Sequence, residues 1–278
     1  MTEAQATSGW VPATGPLGDL TLGSEARATA LAADPARIAA LEAEVAARPA
    51  PPPFATALRG GTVRVIAELK RRSPSKGVIN DGLDAPARAA AYAAGGAAAL
   101  SILTEPTRFG GALEDLAAVG GAVAIPRLRK DFITHELQLL EARACGASAV
   151  LLIARALPPA RLRGLALAAR ARGLECLVEV RSPAELEVAL DVPDAVVGVN
   201  NRNLETLVID DAVGRQLLPL VPPDRVAVYE SGVTSVADVE RAAAFGADAV
   251  LVGSVLSASP DGAAAVRALS GVVRRGRG

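Results

Sequence analysis

Short apolar runs of strand length alternate along the chain with longer segments of helical periodicity. The segments between the runs are rich in Ala, Leu and Arg, and several end in Gly just before the next run, as at Gly96, Gly146, Gly173 and Gly246. Glycine is the usual residue after the last turn of a helix, so each such segment has a helix stop where one is expected. The apolar runs begin near eight positions that are 21 to 34 residues apart: Arg64, Ala98, Ala124, Ser148, Leu174, Ala195, Arg225 and Asp248.

Eight consecutive β–α units, with too little sequence left for a second large domain, predict the α/β class and a (β/α)8 TIM barrel. An open, doubly wound sheet is the alternative. It would usually carry a Gly-rich dinucleotide-binding turn after an early strand, and this sequence has none there. We therefore expect a closed barrel of parallel strands.

The chain before the barrel predicts an N-terminal helical extension. Residues 1 to about 25 are rich in Gly, Thr, Pro and Ala and are expected to be loosely ordered. Amphipathic spacing from Ser24 to Arg48 predicts one or two helices that pack on the barrel, with a restart at Asp34-Pro35 and an end at Pro49. The predicted domains are an extension over residues 1–58 and a catalytic barrel over residues 59–278.

Polar side chains follow several predicted strands at their C-terminal ends. The first strand carries Glu68 and Lys70, which strand alternation places on one side with opposite charges. The fourth strand ends apolar, whereas the other ends carry Thr104-Glu105 followed by Phe109, Lys130, Glu179, Asn200 with Arg202, and Glu230-Ser231. Parallel barrel strands bring these ends to one mouth, where the active sites of such barrels lie. Ion pairing of Lys70 with Glu68 or Glu179 is a structural alternative, because buried charges need partners.

The last two strand ends add a phosphate signal. Ser231-Gly232 and Gly253-Ser254 occupy the positions where this fold often binds phosphate through backbone N–H groups and a short helix N-terminus. Ser73 in the first loop is a candidate for a further hydroxyl contact. Ordinary turns would also use such dipeptides, but their occurrence at these two ends favours a phosphorylated small-molecule substrate.

Composition narrows the choice of function. The net charge is −1, with both signs interspersed, which argues against nucleic-acid or membrane-surface binding. No leader pattern or apolar run of about 18 residues is present, so we expect a cytoplasmic protein. Cys145 and Cys176 have no metal-ligand spacing, and His135 is interpreted as a surface or capping residue. The chain has only three lysines, at positions 70, 76 and 130, against 26 arginines. A lysine ammonium can give up a proton and an arginine guanidinium cannot, and two of the three lysines lie at predicted strand ends.

With these features in view, the sequence resembles the indole-3-glycerol phosphate synthase family of tryptophan biosynthesis. The resemblance runs in family order from about Phe54 to Leu256. Its motifs are Ile66-Ala-Glu-Leu-Lys-Arg-Arg-Ser-Pro-Ser-Lys-Gly77, Leu100-Ser-Ile-Leu-Thr-Glu105 with Phe109-Gly-Gly111, Arg129-Lys-Asp-Phe-Ile133, Val178-Glu-Val180, Gly198-Val-Asn-Asn-Arg-Asn-Leu204, Glu230-Ser-Gly-Val233 and Leu251-Val-Gly-Ser254.

The resemblance implies ring closure and decarboxylation of 1-(2-carboxyphenylamino)-1-deoxyribulose 5-phosphate, with loss of CO₂ and water. It implies that Lys130 is the general acid, that Glu179 is the base of the later dehydration, and that Lys70 holds the substrate carboxylate and donates a proton. Other residues receive supporting roles by the same resemblance: Glu68, Asn200, Glu230 and Ser231 as orienting groups, Arg202 in substrate binding, Ser73, Gly232, Gly253 and Ser254 on the phosphate, and Phe109, Phe132 and Leu177 around the aromatic ring.

No metal or organic cofactor is expected, because decarboxylation and dehydration restore aromaticity and need no electron sink. The resemblance is compatible with a monomer or weak homodimer, and with association with other tryptophan-pathway enzymes. Two positions depart from the family pattern. Asn203 stands where Asp is usual, and Tyr229 stands where a small residue is common and would be expected to crowd the seventh strand end.

Three other functions remain as alternatives. Phosphoribosylanthranilate isomerase would be expected to have a Cys base at the first strand end, where this chain has Glu68 and Lys70. A Schiff-base aldolase would need one desolvated amine without carboxylate neighbours. A non-catalytic barrel partner would be favoured by loss of Lys130 or Glu179, and both are present.

Overall fold

The computed structural model describes residues 9–277. Within them, eight parallel strands close into a barrel in which each strand pairs with the next along the chain, and the last pairs with the first. The strands are β1 Arg64–Leu69, β2 Ala99–Leu103, β3 Arg127–Lys130, β4 Ala149–Ile153, β5 Glu175–Val180, β6 Val196–Asn200, β7 Ala227–Glu230 and β8 Ala249–Val252. The predicted (β/α)8 fold is confirmed.

The strands begin close to where the apolar runs predict them. Six of the eight start within one residue of the predicted position. The third prediction, at Ala124, is wrong by three residues, since Pro126 precedes β3 and a proline has no N–H to donate to a sheet. The seventh strand begins two residues after Arg225, whose N–H is used by a turn bond to the Pro222 carbonyl.

Helices follow the strands and cover the outside of the barrel. Four of the predicted glycine stops, at Gly96, Gly146, Gly173 and Gly246, have φ between 72° and 95°, a backbone conformation that glycine adopts without steric cost. The helices are α1 Gly15–Ala32, α2 Pro35–Ala46, α3 Phe54–Ala57, α4 Ala85–Ala94, α5 Pro106–Phe109, α6 Leu113–Ala122, α7 Glu136–Ala144, α8 Pro159–Ala171, α9 Pro183–Leu190, α10 Ala212–Leu217, α11 Val236–Ala244, α12 Ser254–Ala258 and α13 Gly262–Arg267.

The N-terminal extension is more ordered than its sequence suggests. Helix α1 begins at Gly15 with a proline in its first turn, so the expected loose order up to about residue 25 is wrong from residue 15 onward. Weak periodicity hid this helix, whose Leu17 and Leu20 are buried against the barrel core. The predicted restart is confirmed, because Asp34 caps α2 through the Arg37 N–H. The remaining part of the prediction, a disordered start at residues 1–8, lies outside the described residues.

Helix α2 packs on α7 through a small apolar cluster of Leu41, Leu140 and Ala144. After β1, a two-residue hairpin pairs Arg72–Ser73 with Gly77–Val78 and shapes the first loop. No helix within residues 9–277 is both long and apolar enough to cross a membrane. The loops after β1, β3, β6, β7 and β8 lie together with α1 at the C-terminal end of the barrel, where the main cavity opens.

Candidate active site

An open cavity of ≈ 190 Å³ lies at the C-terminal end of the barrel strands. Helix α1 contributes Pro16 and Leu20 to its wall, so the extension covers part of the mouth. Most of the site residues predicted from the sequence line this cavity: Glu68, Lys70, Ser73, Phe109, Lys130, Phe132, Asn200, Arg202, Glu230, Ser231, Gly232, Gly253 and Ser254.

An ion pair stands at the end of β1. Lys70 Nζ lies 2.7 Å from Glu68 Oε1, as strand alternation predicts, and both side chains are mostly buried. Ser101, the β2 residue beside Glu68, donates a 3.3 Å hydrogen bond to the other carboxylate oxygen. Of the two partners considered for Lys70, the structure therefore selects Glu68.

A second amine stands at the end of β3. Lys130 Nζ donates to Glu179 Oε2 at 2.9 Å and lies 3.4 Å from Glu230 Oε2. The second oxygen of Glu179 accepts a 2.9 Å bond from Asn200 Nδ2, and Asn200 Oδ1 accepts from the Arg202 backbone N–H. Ends of β3, β5, β6 and β7 thus converge on one buried hydrogen-bonded group.

Burial and charge set the protonation of this group. Burial opposes the charged form of Lys130, but the carboxylates of Glu179, Glu230 and Glu68 outweigh it and raise the pKa of the amine. Burial raises the pKa of Glu230 to about 8, with Lys130 opposing and Glu179 and Glu68 adding to the shift. The pKa of Glu68 is lowered, because its partner Lys70 together with Lys130 overcomes burial. A protonated Glu230 removes one negative charge from the surroundings of Lys130.

Glu179 and Leu177 lie differently from the other predicted residues. Glu179 lines a neighbouring cavity of ≈ 180 Å³ and contacts Lys130 and Asn200 of the main one. Leu177 is fully buried and is absent from the lining of the main cavity, two residues before Glu179 on β5. It packs in the hydrophobic core, whereas the family resemblance placed it around the aromatic ring.

The two predicted aromatic residues meet. The rings of Phe109 and Phe132 have centroids 6.1 Å apart and an interplanar angle of 36°, and both line the cavity. Glu105, which the sequence placed among the polar strand ends, does not line the cavity. Its carboxylate caps α5 by accepting from the N–H groups of Thr107, Arg108 and Phe109.

The β7 and β8 ends have unusual backbones. Ser231 has φ of 66° and is followed by Gly232 with φ of 87°, so the chain turns sharply after Glu230. An added Cβ at Gly253 would lie 2.3 Å from Glu68 Oε1 and 2.8 Å from Lys70 Nζ. Glycine at 253 therefore makes room for the β1 ion pair, whatever its part in phosphate binding.

Comparison with known proteins decides the family. The sequence model of the indole-3-glycerol phosphate synthase family matches residues 23–269. The chain belongs to this family. It is 49% identical to the indole-3-glycerol phosphate synthase of Opitutus terrae over 80% of this chain and 86% of that protein. It is 53% identical to that of a Nocardioides species over 75% of this chain and 80% of that protein.

Solved structures agree on the fold alone. The 3-hexulose-6-phosphate synthase from Salmonella typhimurium matches with a TM-score of 0.57 at 15% identity, covering 74% of this chain and 96% of that one. The thiamine phosphate pyrophosphorylase from Pyrococcus furiosus matches with a TM-score of 0.54 at 16% identity, covering 74% and 93%.

The two positions that depart from the pattern of this synthase family, Asn203 and Tyr229, are accommodated by local contacts. Asn203 Oδ1 accepts from the backbone N–H groups of Glu205 and Thr206, bonds that an aspartate oxygen would make equally. The Tyr229 ring packs against Gly214 of α10, where an added Cβ would lie 2.6 Å from the ring. The expected crowding is taken up on the outside of β7, since Tyr229 alternates with the inward-facing Glu230.

Other residues of this synthase fold support the site and were missed by sequence reasoning. Ser257 Oγ accepts from the Lys70 N–H and donates to the Glu68 carbonyl, which fixes the backbone on which the β1 ion pair stands. Asn201 Nδ2 donates to the carbonyls of Glu230 and Ser231 and steadies the strained turn. Ser257 lies in α12 and not at a strand end, so no strand-end pattern points to it. Asn201 belongs to the cluster of asparagines after β6, which was the one available signal. The predicted capping role of His135 is confirmed, because its Nδ1 accepts from the Leu137 N–H at the start of α7.

Proposed function

We propose that this chain catalyses the indole-3-glycerol phosphate synthase reaction, converting 1-(2-carboxyphenylamino)-1-deoxyribulose 5-phosphate into indole-3-glycerol phosphate, CO₂ and water. The observation that carries the proposal is Lys130 between Glu179 and Glu230 at the floor of the cavity, in a chain that belongs to the synthase family. Counted from the ionised substrate carboxylate, the reaction takes up one proton, so the site must supply acids as well as a base.

Lys130 is the general acid of ring closure. Attack of the aromatic ring on the ribulose carbonyl develops negative charge on the carbonyl oxygen, and a protonated amine beside it can neutralise that charge. Burial opposes the charge on Lys130, but its acidic neighbours, Glu179 foremost, raise the pKa of the amine, so that Nζ is protonated when the substrate carbonyl reacts.

Glu179 is the base of the dehydration step. Asn200 and Lys130 hold one oxygen each, which fixes the orientation of the carboxylate. When Lys130 gives up its proton to the substrate, Glu179 loses a charge-assisted bond and becomes free to accept a proton as water leaves. Glu230, with its pKa raised by burial, can stay neutral meanwhile and act as a hydrogen-bonding group.

Lys70 holds the substrate carboxylate and donates a proton as the hydroxyl leaves. Its amine is paired with only Glu68 among the described residues and lines the cavity, so a second carboxylate can approach it. Arg202, whose guanidinium donates to the Leu207 carbonyl, lines the same cavity and adds positive charge.

The remaining cavity residues bind the two ends of the substrate. Phosphate binding is assigned to Ser73, the turn at Ser231-Gly232 and the start of α12 at Gly253-Ser254, which lie on the loops after β1, β7 and β8. The anthranilate ring is assigned to the apolar surface that Phe109 and Phe132 form on the β2 and β3 loops. A phosphorylated, ring-bearing substrate would thus span the mouth with its carbonyl above Lys130.

Three further expectations go with the proposed function. The cytoplasm is the expected location, a monomer or weak homodimer the expected state, and association with other enzymes of tryptophan biosynthesis an expected interaction. Activity in a cleared cell extract, sedimentation of the purified chain and co-purification, respectively, would test them.

The proposal is tested by indole-product fluorescence with the carboxyphenylamino-deoxyribulose phosphate in chelator-treated buffer. We expect turnover in the wild type, and loss of turnover with retained circular dichroism in Lys130→Met, which removes the acid and keeps the length of the side chain. Glu179→Gln should lose turnover while keeping substrate affinity. Absence of wild-type turnover, or wild-type rates in Lys130→Met, would refute the assignment.

A further inference from the structure

Helix α1 places one arginine between two buried carboxylates at the site. Arg27 Nη2 donates to Asp131 Oδ1 at 2.7 Å, and Arg27 Nη1 lies 3.8 Å from Glu105 Oε1. Both carboxylates are 1% exposed, and the guanidinium is 31% exposed. The N-terminal extension therefore reaches both buried carboxylates through Arg27, beside a more exposed ion pair between Asp19 of α1 and Arg108 of α5.

Asp131 organises the backbone that follows Lys130. Its Oδ1, the oxygen bound by Arg27, also accepts a 2.8 Å bond from the Phe132 N–H. Its Oδ2 accepts from Thr104 Oγ1 at 2.8 Å and from Arg129 Nη2 at 3.1 Å. The position of Phe132 is thus tied to an oxygen that Arg27 shares.

Glu105 fixes the backbone of the second aromatic residue, Phe109, in a similar way. Its Oε2 accepts from the Phe109 N–H at 3.1 Å and from the Arg108 N–H at 2.7 Å, so it holds the short helix that ends at Phe109. Among the ion pairs formed by residues 9–277, the contact with Arg27 is the one that involves Glu105. A buried carboxylate without that cation would keep only its hydrogen bonds to balance the cost of burial.

We propose that Arg27 is a positioning residue for the aromatic slot: it bridges the two carboxylates that hold the backbones of Phe109 and Phe132, and so sets the spacing of the two rings. The inference rests on the proposed function, which assigns the substrate ring to this slot. The proposed phosphate site lies mainly on the loops after β7 and β8, strands that do not pair with β2 or β3, with Ser73 on the β1 loop as a further contact. Loss of Arg27 therefore weakens recognition of the ring and spares recognition of the phosphate.

The charges around the bridge support this role. Burial would raise the pKa of Asp131, but Arg129 and Arg27 outweigh it and lower the pKa, with Thr104 and the Phe132 N–H contributing. The geometry of Asp131 toward Phe132 depends on the oxygen that Arg27 binds, whereas Arg129 binds the other oxygen. Removing Arg27 leaves the fold of β3 held by Arg129 and loosens the slot.

Ser24 provides a matched control on the same helix. It lies three residues before Arg27 and its Oγ accepts a 2.7 Å bond from Gln138 Nε2, a buried contact between α1 and α7 that involves neither carboxylate. Ser24→Ala thus weakens docking of the extension without touching the bridge. Arg27→Lys keeps a charge that can reach one carboxylate at a time, and Arg27→Gln removes it.

The experiment measures dissociation constants for indole-3-glycerol phosphate, which has the ring, and glycerol 3-phosphate, which lacks it, together with steady-state kinetics. Losing a charge-assisted bond is expected to weaken indole-3-glycerol phosphate about tenfold in Arg27→Gln. Glycerol 3-phosphate affinity should stay within about twofold, and Arg27→Lys should recover part of the loss. Ser24→Ala should affect both ligands alike.

Three outcomes would overturn the inference. Unchanged affinity for the ring-bearing ligand in Arg27→Gln would show that the bridge is dispensable. Equal weakening of both ligands, or the same selective loss in Ser24→Ala, would show that Arg27 only docks the helix. If Arg27→Gln does not fold, the affinities of Arg27→Lys for the two ligands are compared with those of Ser24→Ala by the same criteria. A wild type that binds glycerol 3-phosphate but neither binds indole-3-glycerol phosphate nor turns over substrate would instead refute the proposed function.

Discussion

Replacing Glu230 with glutamine should change how the stability of the barrel depends on pH. Glu230 is buried at the end of β7, its Oε2 lies 3.4 Å from Lys130 Nζ, and its Oε1 is buried without a hydrogen-bond partner among the described residues. Burial raises its pKa from 4.5 to about 8. Glutamine has the same shape as the protonated acid and carries no charge at any pH.

The sign of this pH dependence follows from the number of protons that Glu230 binds in the folded and unfolded states. Between pH 4.5 and 8 the unfolded chain loses the Glu230 proton while the folded protein keeps it, so the unfolded state binds fewer protons and stability falls as pH rises. The contribution of Glu230 is therefore fully present below about pH 4.5. It is lost as pH rises to about 8 and is constant above that value.

The contribution of Glu230 to the free energy of unfolding falls by about 1.4 kcal/mol for each pH unit inside this window. Its upper limit across the window is about 5 kcal/mol. Urea unfolding of wild type and Glu230→Gln at pH 5, 6, 7 and 8 would give the free energy of unfolding at each pH. We expect the variant to gain on the wild type by about 2–3 kcal/mol between pH 5 and 7. Glu240→Gln, which removes an exposed carboxylate of α11, is the control. A difference between wild type and Glu230→Gln that stays constant over this range would refute a protonated Glu230.

The remaining predictions concern the β1 ion pair. Gly253→Ala should reduce kcat/KM by about 100-fold, because the new methyl group would displace Glu68 and Lys70 and small displacements of reacting groups cost that much; near-wild-type kinetics would mean that Gly253 serves the phosphate alone or not at all. Ser257→Ala should cost about 1–3 kcal/mol in urea unfolding, since it removes a buried hydroxyl that bonds the Glu68 carbonyl and the half-buried Lys70 N–H, and it should lower kcat. Unchanged stability with unchanged kcat would show that the strand end holds its shape without that hydroxyl.

Local sequence pattern determined the direction of most site side chains. Strand alternation put Glu68 and Lys70 on the same side, and the structure pairs them at 2.7 Å. Glycines before the strands ended helices with positive φ, as at Gly146. These features depend on a few neighbouring residues and on the fixed geometry of strands and helix ends, so the sequence alone is sufficient.

Pattern failed where a residue's role depends on distant partners. Glu105 follows a strand like the other acids, yet it caps α5 and faces Arg27 instead of the cavity. Leu177, which the family resemblance placed around the aromatic ring, is fully buried and does not line the main cavity; the stagger of closed strands sets how deep an inward-facing residue lies. Helix α1 has weak periodicity and is fixed by contacts with a barrel more than a hundred residues away, such as Ser24 with Gln138.

The sequence by itself therefore determined the eight β–α units, the polar character of their ends and the chemical types available for catalysis. Tertiary structure decided the pairings between elements: Lys130 with both Glu179 and Glu230, and Arg27 with Asp131. The physical reason is that a period of two fixes which face a side chain takes. Barrel closure, which joins strands far apart in the chain, fixes which other side chains it meets there.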